Sequence, residues 1–184
     1  MILRAVEDAD LIRKARRGDV EAYNLLISRW ERRVYNYLLR ITRHREDALD
    51  LTQEAFLKAY QSLRKLEDES RFAPWLFRIA RNEACSLLRR RRPEAGGASA
   101  EGPGEEIPAG SPAFPLELTL AVATALERLS PDHREAVVLK IYQGFKFEEI
   151  AAILDCPVST VKSRLYTALD LLKADLAPVK RGVS

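Results

Sequence analysis

A stretch near the middle of the chain, residues 92–115, contains almost no large apolar side chain. Its sequence, RPEAGGASAEGPGEEIPAGSPAFP, is rich in Gly, Pro, Ala, Ser and Glu. This composition is typical of a flexible linker, because such a segment buries too little surface to order itself. The chain is therefore expected to fold as two small domains, residues 1–92 and 116–184, joined by a flexible acidic linker at 93–115. We expect the two domains to move independently in the free protein.

The N-terminal segment has the periodicity of a small helical bundle. Its apolar residues recur at intervals of three or four, which is typical of amphipathic helices around a shared core. Asp10 is expected to cap a short first helix that Gly18 ends, and Asp19 to cap a long second one. A third helix is expected over about 46–66 and a fourth from near Pro74 onwards.

The C-terminal segment has the pattern of a helix-turn-helix. After a first helix that begins at Leu116, Ser130 is expected to cap a second helix, which Gly144 ends. A short helix over 147–154 follows, and the turn sequence DCP separates it from a longer, basic helix. A short helix, a tight turn and a longer helix form a DNA-binding motif. The predicted fold class is all-α.

The charge distribution indicates a polyanionic partner for the first half of the chain. Residues 1–92 contain 21 Lys and Arg against 14 Asp and Glu, the linker contains 0 against 4, and residues 116–184 contain 9 against 9. The net charge of +3 therefore conceals a basic N-terminal domain. A basic excess of this kind favours binding to nucleic acid.

The sequence gives little support to membrane, metal or catalytic chemistry. No apolar run approaches the ~18 residues of a membrane span, and the opening MILRAVEDAD lacks a signal peptide, so a cytoplasmic protein is expected. Cys85 and Cys156 lie in or beside apolar patterns and are expected to be buried free thiols. His44 and His133 stand apart from them, so no metal site is expected. Neither a nucleophile motif nor a phosphate loop occurs, and neither an enzyme nor a cofactor is expected.

The stretch ESRFAPWLFRIARNEACSLLRRRR, residues 69–92, interleaves aromatic rings with arginines. Aromatic rings offer stacking surfaces to unpaired bases, and guanidinium groups hold the neighbouring phosphates. This combination favours single-stranded nucleic acid as a ligand. The alternative is that the rings belong to the core and the arginines to a solvated helix end.

Four motifs in this order resemble a bacterial sigma factor of the extracytoplasmic-function (ECF) group of the sigma-70 family. They are DALDLTQEAFLKAY (47–60), FAPWLFRIARNEA (72–84), LSPDHREAVVL (129–139) and EEIAAILDCPVSTVKSRL (148–165). The resemblance covers nearly the whole chain outside the linker. It implies a non-enzymatic transcription initiation factor that binds core RNA polymerase and directs it to specific promoters, helping to melt the proximal box.

The resemblance implies two interfaces in the N-terminal domain. The helix carrying DLTQE would dock on the clamp coiled coil of the largest polymerase subunit, through Asp50, Gln53, Glu54 and Phe56. For Phe56, packing in the core is an equally good interpretation. The next helix would bind the melted proximal box through five residues: Phe72, Trp75, Arg78, Arg81 and Asn82. Of these, Asn82 occupies the family's pocket for a base flipped from the non-template strand, where an amide can read a base edge.

The helix-turn-helix would read the distal promoter box as duplex DNA in the major groove. The residues implied are Lys146, Ser159, Thr160, Lys162, Ser163 and Arg164. The chain departs from the family pattern at Thr167 and Leu169, where basic residues are usual, and at Lys146, where a Ser or Thr cap is common. These departures leave the promoter sequence open.

Two further classes of protein remain possible from the residues alone. A helix-turn-helix regulator that does not bind core polymerase would leave DLTQE and the aromatic-arginine stretch unexplained. A helical adaptor that binds only proteins would leave the basic excess unused. The resemblance further implies a possible anti-sigma factor, often membrane-anchored, as a partner. The acidic linker would either mimic the charge of a transcript or serve as a plain tether.

Overall fold

The computed structural model describes residues 7–91 and 116–177, and every regular element in these two ranges is a helix. The predicted all-α fold is therefore confirmed. The segment interpreted as a linker, 93–115, lies outside the described residues, as do both ends of the chain.

The N-terminal domain is a bundle of four α-helices with two 3-10 turns, at Leu63–Lys65 and Glu69–Arg71, before the last of them. The α-helices are α1 (Asp8–Arg16), α2 (Val20–Thr42), α3 (Arg45–Ser62) and α4 (Phe72–Arg91). The carboxylate of Asp19 caps α2 as predicted, because it accepts the N–H of Ala22 at 3.0 Å. Helix α1 begins earlier than predicted, so Asp10 lies within its first turn rather than at its cap.

The C-terminal domain contains the predicted helix-turn-helix. Its helices are α5 (Leu116–Arg128), α6 (Pro131–Val137), which continues as a π-helical turn over Val138–Tyr142, α7 (Phe147–Leu154) and α8 (Val158–Leu176). Ser130 caps α6 by accepting the N–H of His133. At the start of α7 the carboxylate of Glu149 accepts the N–H of Lys146 at 2.7 Å, which is one half of a capping box, whereas the Lys146 side chain makes no capping bond.

The two domains pack against each other through a shared apolar core. Phe145 of the C-terminal domain stacks edge-on against Phe77 of α4, with ring centroids 4.9 Å apart. Buried Ile150, Ile153 and Val161 belong to the same cluster as the core of the N-terminal bundle. A smaller cluster inside the C-terminal domain joins α5, α6 and α8. In the structure the two domains are therefore in contact, an arrangement that the expectation of independently moving domains did not include.

The prediction that both cysteines are buried is wrong. The buried stripe of α4 follows Leu76, Ala80 and Ala84, and Cys85 lies one position, or about 100°, further round the helix. Cys85 is consequently exposed, and Cys156 is only partly buried, although both are free thiols as predicted. Leu88 continues the stripe by spacing but is 41% exposed, because the buried part of α4 ends at Ala84.

Candidate functional site

An exposed apolar groove runs along the N-terminal domain between α2 and α3. It measures about 430 Å³, and its apolar lining includes Leu57 and Tyr60, which are 52% and 39% exposed. The Tyr60 ring packs 4.8 Å from the ring of Tyr23, whose hydroxyl donates to the backbone oxygen of Phe56 at 2.5 Å. These contacts join the floor of the groove to the domain core.

The residues predicted to bind polymerase lie in or beside this groove. Gln53 is exposed and lines it, and Asp50 is exposed one turn earlier on α3. Glu54 is partly buried and pairs with Lys58 at 3.3 Å. Phe56 is only 5% exposed, which supports its interpretation as a core residue that forms the groove floor. The sequence analysis did not select Leu57 and Tyr60 for this groove. Both lie outside the stripe of α3 that faces the core, and an apolar or aromatic residue at such a position could have indicated them.

A second surface lies where the loop before α4 meets the start of α7. A cleft of about 640 Å³ is lined by Trp75 and Arg78 from α4, by residues of the loop 65–71, and by Lys146. Phe72 does not line it: this ring is 2% exposed and packs between Trp30 and Trp75, at centroid distances of 6.2 and 6.0 Å. Phe72 therefore supports Trp75 from within the core.

Of the other residues predicted for the proximal box, Asn82 is exposed, whereas both arginines already have acidic partners. Arg78 lies 3.5 Å from Asp155, in the turn of the helix-turn-helix. Arg81 donates to Glu135 of α6 at 3.1 Å. Of these two arginines, Arg81 is hydrogen-bonded to a carboxylate of the C-terminal domain, whereas Arg78 is only near one and its side chain stays 48% exposed.

The predicted distal-box residues cluster on the first turns of α8, apart from Lys146. Ser159, Lys162 and Ser163 are exposed, and Thr160 is partly buried. Arg164 is 26% exposed and pairs with Asp132 at 2.7 Å. The ammonium groups of Lys162 and Lys140 lie over the ring of Phe147, at 5.4 and 4.8 Å from its centroid. Lys146 lies instead at the cleft beside Arg78.

Two negative findings apply to the described ranges. Among residues 7–91 and 116–177, no group of three or more His, Cys, Asp or Glu side chains is arranged to hold a metal ion. None of the helices described there is long and apolar enough to cross a membrane.

Comparison with known proteins assigns both domains. Residues 26–94 match the family "Sigma-70 region 2", and residues 119–172 match "Sigma-70, region 4". The chain is 32% identical to the RNA polymerase sigma-H factor of Pseudomonas aeruginosa, over 98% of this chain and 99% of that protein. It is 35% identical to the ECF RNA polymerase sigma-E factor of Escherichia coli, over 95% of this chain and 96% of that protein.

Two solved structures are similar over most of the chain. The structure of CnrH in complex with the cytosolic domain of CnrY matches with a TM-score of 0.69 at 27% identity, covering 93% of this chain and 97% of that chain. The sigma factor RpoE from Bartonella quintana, in complex with the anti-sigma factor NepR, matches with a TM-score of 0.67 at 27% identity, covering 84% and 96%. The chain belongs to the ECF group of the sigma-70 family.

Family membership confirms the function predicted from the motifs. The protein is a transcription initiation factor whose partners are core RNA polymerase and promoter DNA. The alternative, a helix-turn-helix regulator that acts without polymerase, is not favoured, because it accounts for only the C-terminal match.

Proposed function

We propose that the groove between α2 and α3 is the docking surface for core RNA polymerase. The observation that carries this proposal is the exposure of Leu57 and Tyr60 beside Gln53, on the helix with the DLTQE motif. An apolar centre bordered by polar side chains is the usual anatomy of a protein interface. Asp50 and Glu54 supply the polar border, and Phe56 supports the groove from below.

The promoter contacts are divided between the two domains. Exposed Asn82 reads the edge of a flipped base, while Trp75 stacks on the melted strand and Arg78 and Arg81 hold its phosphates. The first turns of α8 enter the major groove of the distal box, where Arg164 and Lys162 provide the charged contacts. Arg81 pairs with Glu135 and Arg164 with Asp132, so DNA that binds these two guanidinium groups must displace those carboxylates.

The protein acts without catalysis of its own, because initiation requires it only to bind, position and help open DNA for the polymerase. It works in the cytoplasm at the bacterial nucleoid. An anti-sigma factor is proposed as a further partner, one that could hold the protein at the membrane. The support for this partner is that the two similar structures are complexes, with the cytosolic domain of CnrY and with the anti-sigma factor NepR.

Reconstitution with core polymerase tests the proposal. The purified chain should co-elute with core polymerase in gel filtration, and the complex should start transcription at promoters that core polymerase alone ignores. A chain carrying both Gln53→Ala and Glu54→Ala should keep its helical circular dichroism and co-elute less. Absence of co-elution for the unmodified chain would overturn the proposal.

A further inference from the structure

The last turn of α1 is joined to the loop that leads into α4, residues 63–71. The guanidinium group of Arg16 donates through Nε to the backbone oxygen of Leu63 at 3.3 Å and through Nη2 to the backbone oxygen of Leu66. Its Nη1 lies 2.6 Å from the carboxylate of Glu69. Both leucine side chains are buried in the core of the bundle. One side chain of α1 therefore holds the loop at three separate points.

The contact with Arg16 fixes which side chains of the loop face the cleft of about 640 Å³. Asp68 and Ser70 line this cleft, whereas Glu69, between them, turns to Arg16. The carboxylate of Asp68 accepts the N–H and the hydroxyl of Ser70, at 2.9 and 2.6 Å. Residues 66–68 lie between the two 3-10 turns and form no helix of their own. The path of the backbone there depends on contacts such as those of Arg16.

The first turn of α1 supports another wall of the same cleft. The carboxylate of Asp8 accepts the Nε1–H of Trp30 at 2.9 Å and pairs with Arg29 at 2.7 Å. The Trp30 ring packs edge-on against Phe72, which in turn packs against Trp75. The two ends of α1 thus hold the two parts of the cleft, one through the loop and the other through the aromatic rings.

We infer that Arg16 is a positioning residue for promoter recognition, because it fixes the loop that faces a base stacked on Trp75. The inference rests on the proposed role of Trp75 in binding the melted strand. Arg16 itself does not line the cleft, so it acts through the loop. A planar guanidinium group suits this task, since it presents several N–H donors in a fixed fork, whereas the ammonium group of a lysine is a single point.

The test measures how much each base of the proximal box contributes to binding. Holoenzyme, formed from core polymerase and the full-length chain, is titrated with a labelled single strand carrying the non-template sequence of a promoter that it recognises. An abasic site then replaces each base in turn, and the loss of affinity is the abasic penalty at that position. A base stacked on an aromatic ring contributes roughly 5-fold or more to affinity. Trp75→Ala should lower the penalty at one position, which identifies the base held in the cleft.

Arg16→Ala should lower the abasic penalty at this same position roughly 5-fold, the contribution of about one base stack. The penalties at the other positions should not change. A chain that is merely less stable would bind every oligonucleotide less well and keep all the penalties, and that result would overturn the inference. If Arg16→Ala loses its helical circular dichroism, Glu69→Ala takes its place, with a smaller fall expected at the same position.

Two further variants separate the fork of Arg16 from its charge. Arg13→Ala is the matched control, because it removes the same charge from α1, but Arg13 pairs with Asp10 of the same helix and its side chain is 52% exposed. It should leave every penalty unchanged, and a fall equal to that of Arg16→Ala would contradict the inference. Arg16→Lys keeps the charge and should restore only part of the penalty. Full restoration would show that the charge alone is sufficient, against a role for the fork.

The double variant with Arg16→Ala and Trp75→Ala distinguishes failure of this inference from failure of the proposed function. If Arg16 acts through the cleft, the double variant should show the same penalties as Trp75→Ala alone, whereas independent effects would add. If Trp75→Ala lowers a penalty and Arg16→Ala lowers none, the inference is disproved and the proposed function stands. If Trp75→Ala leaves every penalty unchanged, the cleft does not hold a base, and the proposed role of Trp75 fails together with the inference.

Discussion

Two surfaces of the N-terminal domain differ in how much of them is available in the free chain. The groove between α2 and α3 is open, with Leu57 52% exposed and Gln53 at its border. On α4, by contrast, Arg81 is covered, because it donates to buried Glu135, whereas Arg78 pairs with Asp155 and stays 48% exposed. The groove is thus open to a partner, whereas Arg81 of α4 already has one.

This difference indicates an order of binding. A partner can dock on the open groove without displacing any part of the chain, whereas a phosphate can reach Arg81 only after Glu135 has moved away. Any partner that binds the separated domains more tightly than the closed chain shifts the equilibrium toward DNA binding.

The largest expected effect is at the open groove. Leu57→Asp places a charge in the centre of the proposed polymerase interface and should weaken core binding by about 30-fold or more, as for a hot-spot residue. Leu25→Asp is the matched control, since Leu25 is 50% exposed on α2 but does not line the groove. Titration of labelled chain with core polymerase measures both. Equal losses for the two variants would remove the groove from the interface.

On α4, Asn82 and the arginines should behave differently. Asn82→Ala should cost about 1–3 kcal/mol on the preferred base and far less on other bases, as expected for an edge contact. Arg78→Ala should weaken all promoters alike and reduce the salt dependence of binding. Transcription from promoters varied at each proximal-box position separates the two. A uniform loss for Asn82→Ala would make this residue structural or a backbone contact.

Substitution of two buried tyrosines compares a hydrogen bond inside the N-terminal domain with one at the interface between the two domains. Tyr37→Phe leaves Glu135 with Arg81 alone and should lower the free energy of unfolding by about 1–3 kcal/mol. Tyr23→Phe removes a hydroxyl that donates to Phe56 within the N-terminal domain, and it should cost about 0.5–1.5 kcal/mol. Urea denaturation measures both. Of the two variants, only Tyr37→Phe should also increase the radius of gyration in small-angle scattering. An increase with Tyr23→Phe would contradict the assignment of Tyr23 to the interior of one domain.

The smallest effect concerns the reactivity of Cys85. Cys85 is exposed as a residue, but partial desolvation of its thiol still raises the pKa, while Arg81 lowers this pKa and Glu135 raises it. Glu135→Gln, in a Cys156→Ser background, removes a negative charge and uncovers α4, and both changes lower the pKa. More thiolate is then present near pH 8, so alkylation by iodoacetamide should be roughly 2–5-fold faster. The Asp175→Asn chain should react at the unmodified rate.

Local features of the sequence were sufficient for much of the fold. Caps at Asp19 and Ser130 are short-range chemistry, and both are confirmed by hydrogen bonds to the third residue beyond. The helix-turn-helix followed from apolar spacing and a Pro-containing turn. The polymerase and promoter residues came from family motifs instead, and their roles remain predictions. Motif matching did not separate side chains that face outward from those, such as Phe56 and Phe72, that support the site from the core.

The contact between the domains could not be predicted from the same features. Glu135 lies in an ordinary helical stretch, and nothing in its neighbours distinguishes a buried carboxylate from a solvated one. Its partners Tyr37 and Arg81 are 98 and 54 residues away in sequence. Phe145 lies in a loop, where apolar periodicity gives no information about which surface it covers. Contacts over such distances depend on how the finished domains fit, which leaves no local pattern in the sequence.

The most direct test of the closed arrangement is the distance distribution between the two domains in the free chain. Spin labels at Gln61→Cys and Lys173→Cys, in a Cys85→Ser and Cys156→Ser background, report on exposed positions in opposite domains. Double electron–electron resonance should give one narrow distance for the free chain. The distance distribution should broaden with Glu135→Gln and move to longer values when core polymerase is added. A broad distribution in the free chain, unchanged by Glu135→Gln, would show that the domains already move independently and would contradict this account.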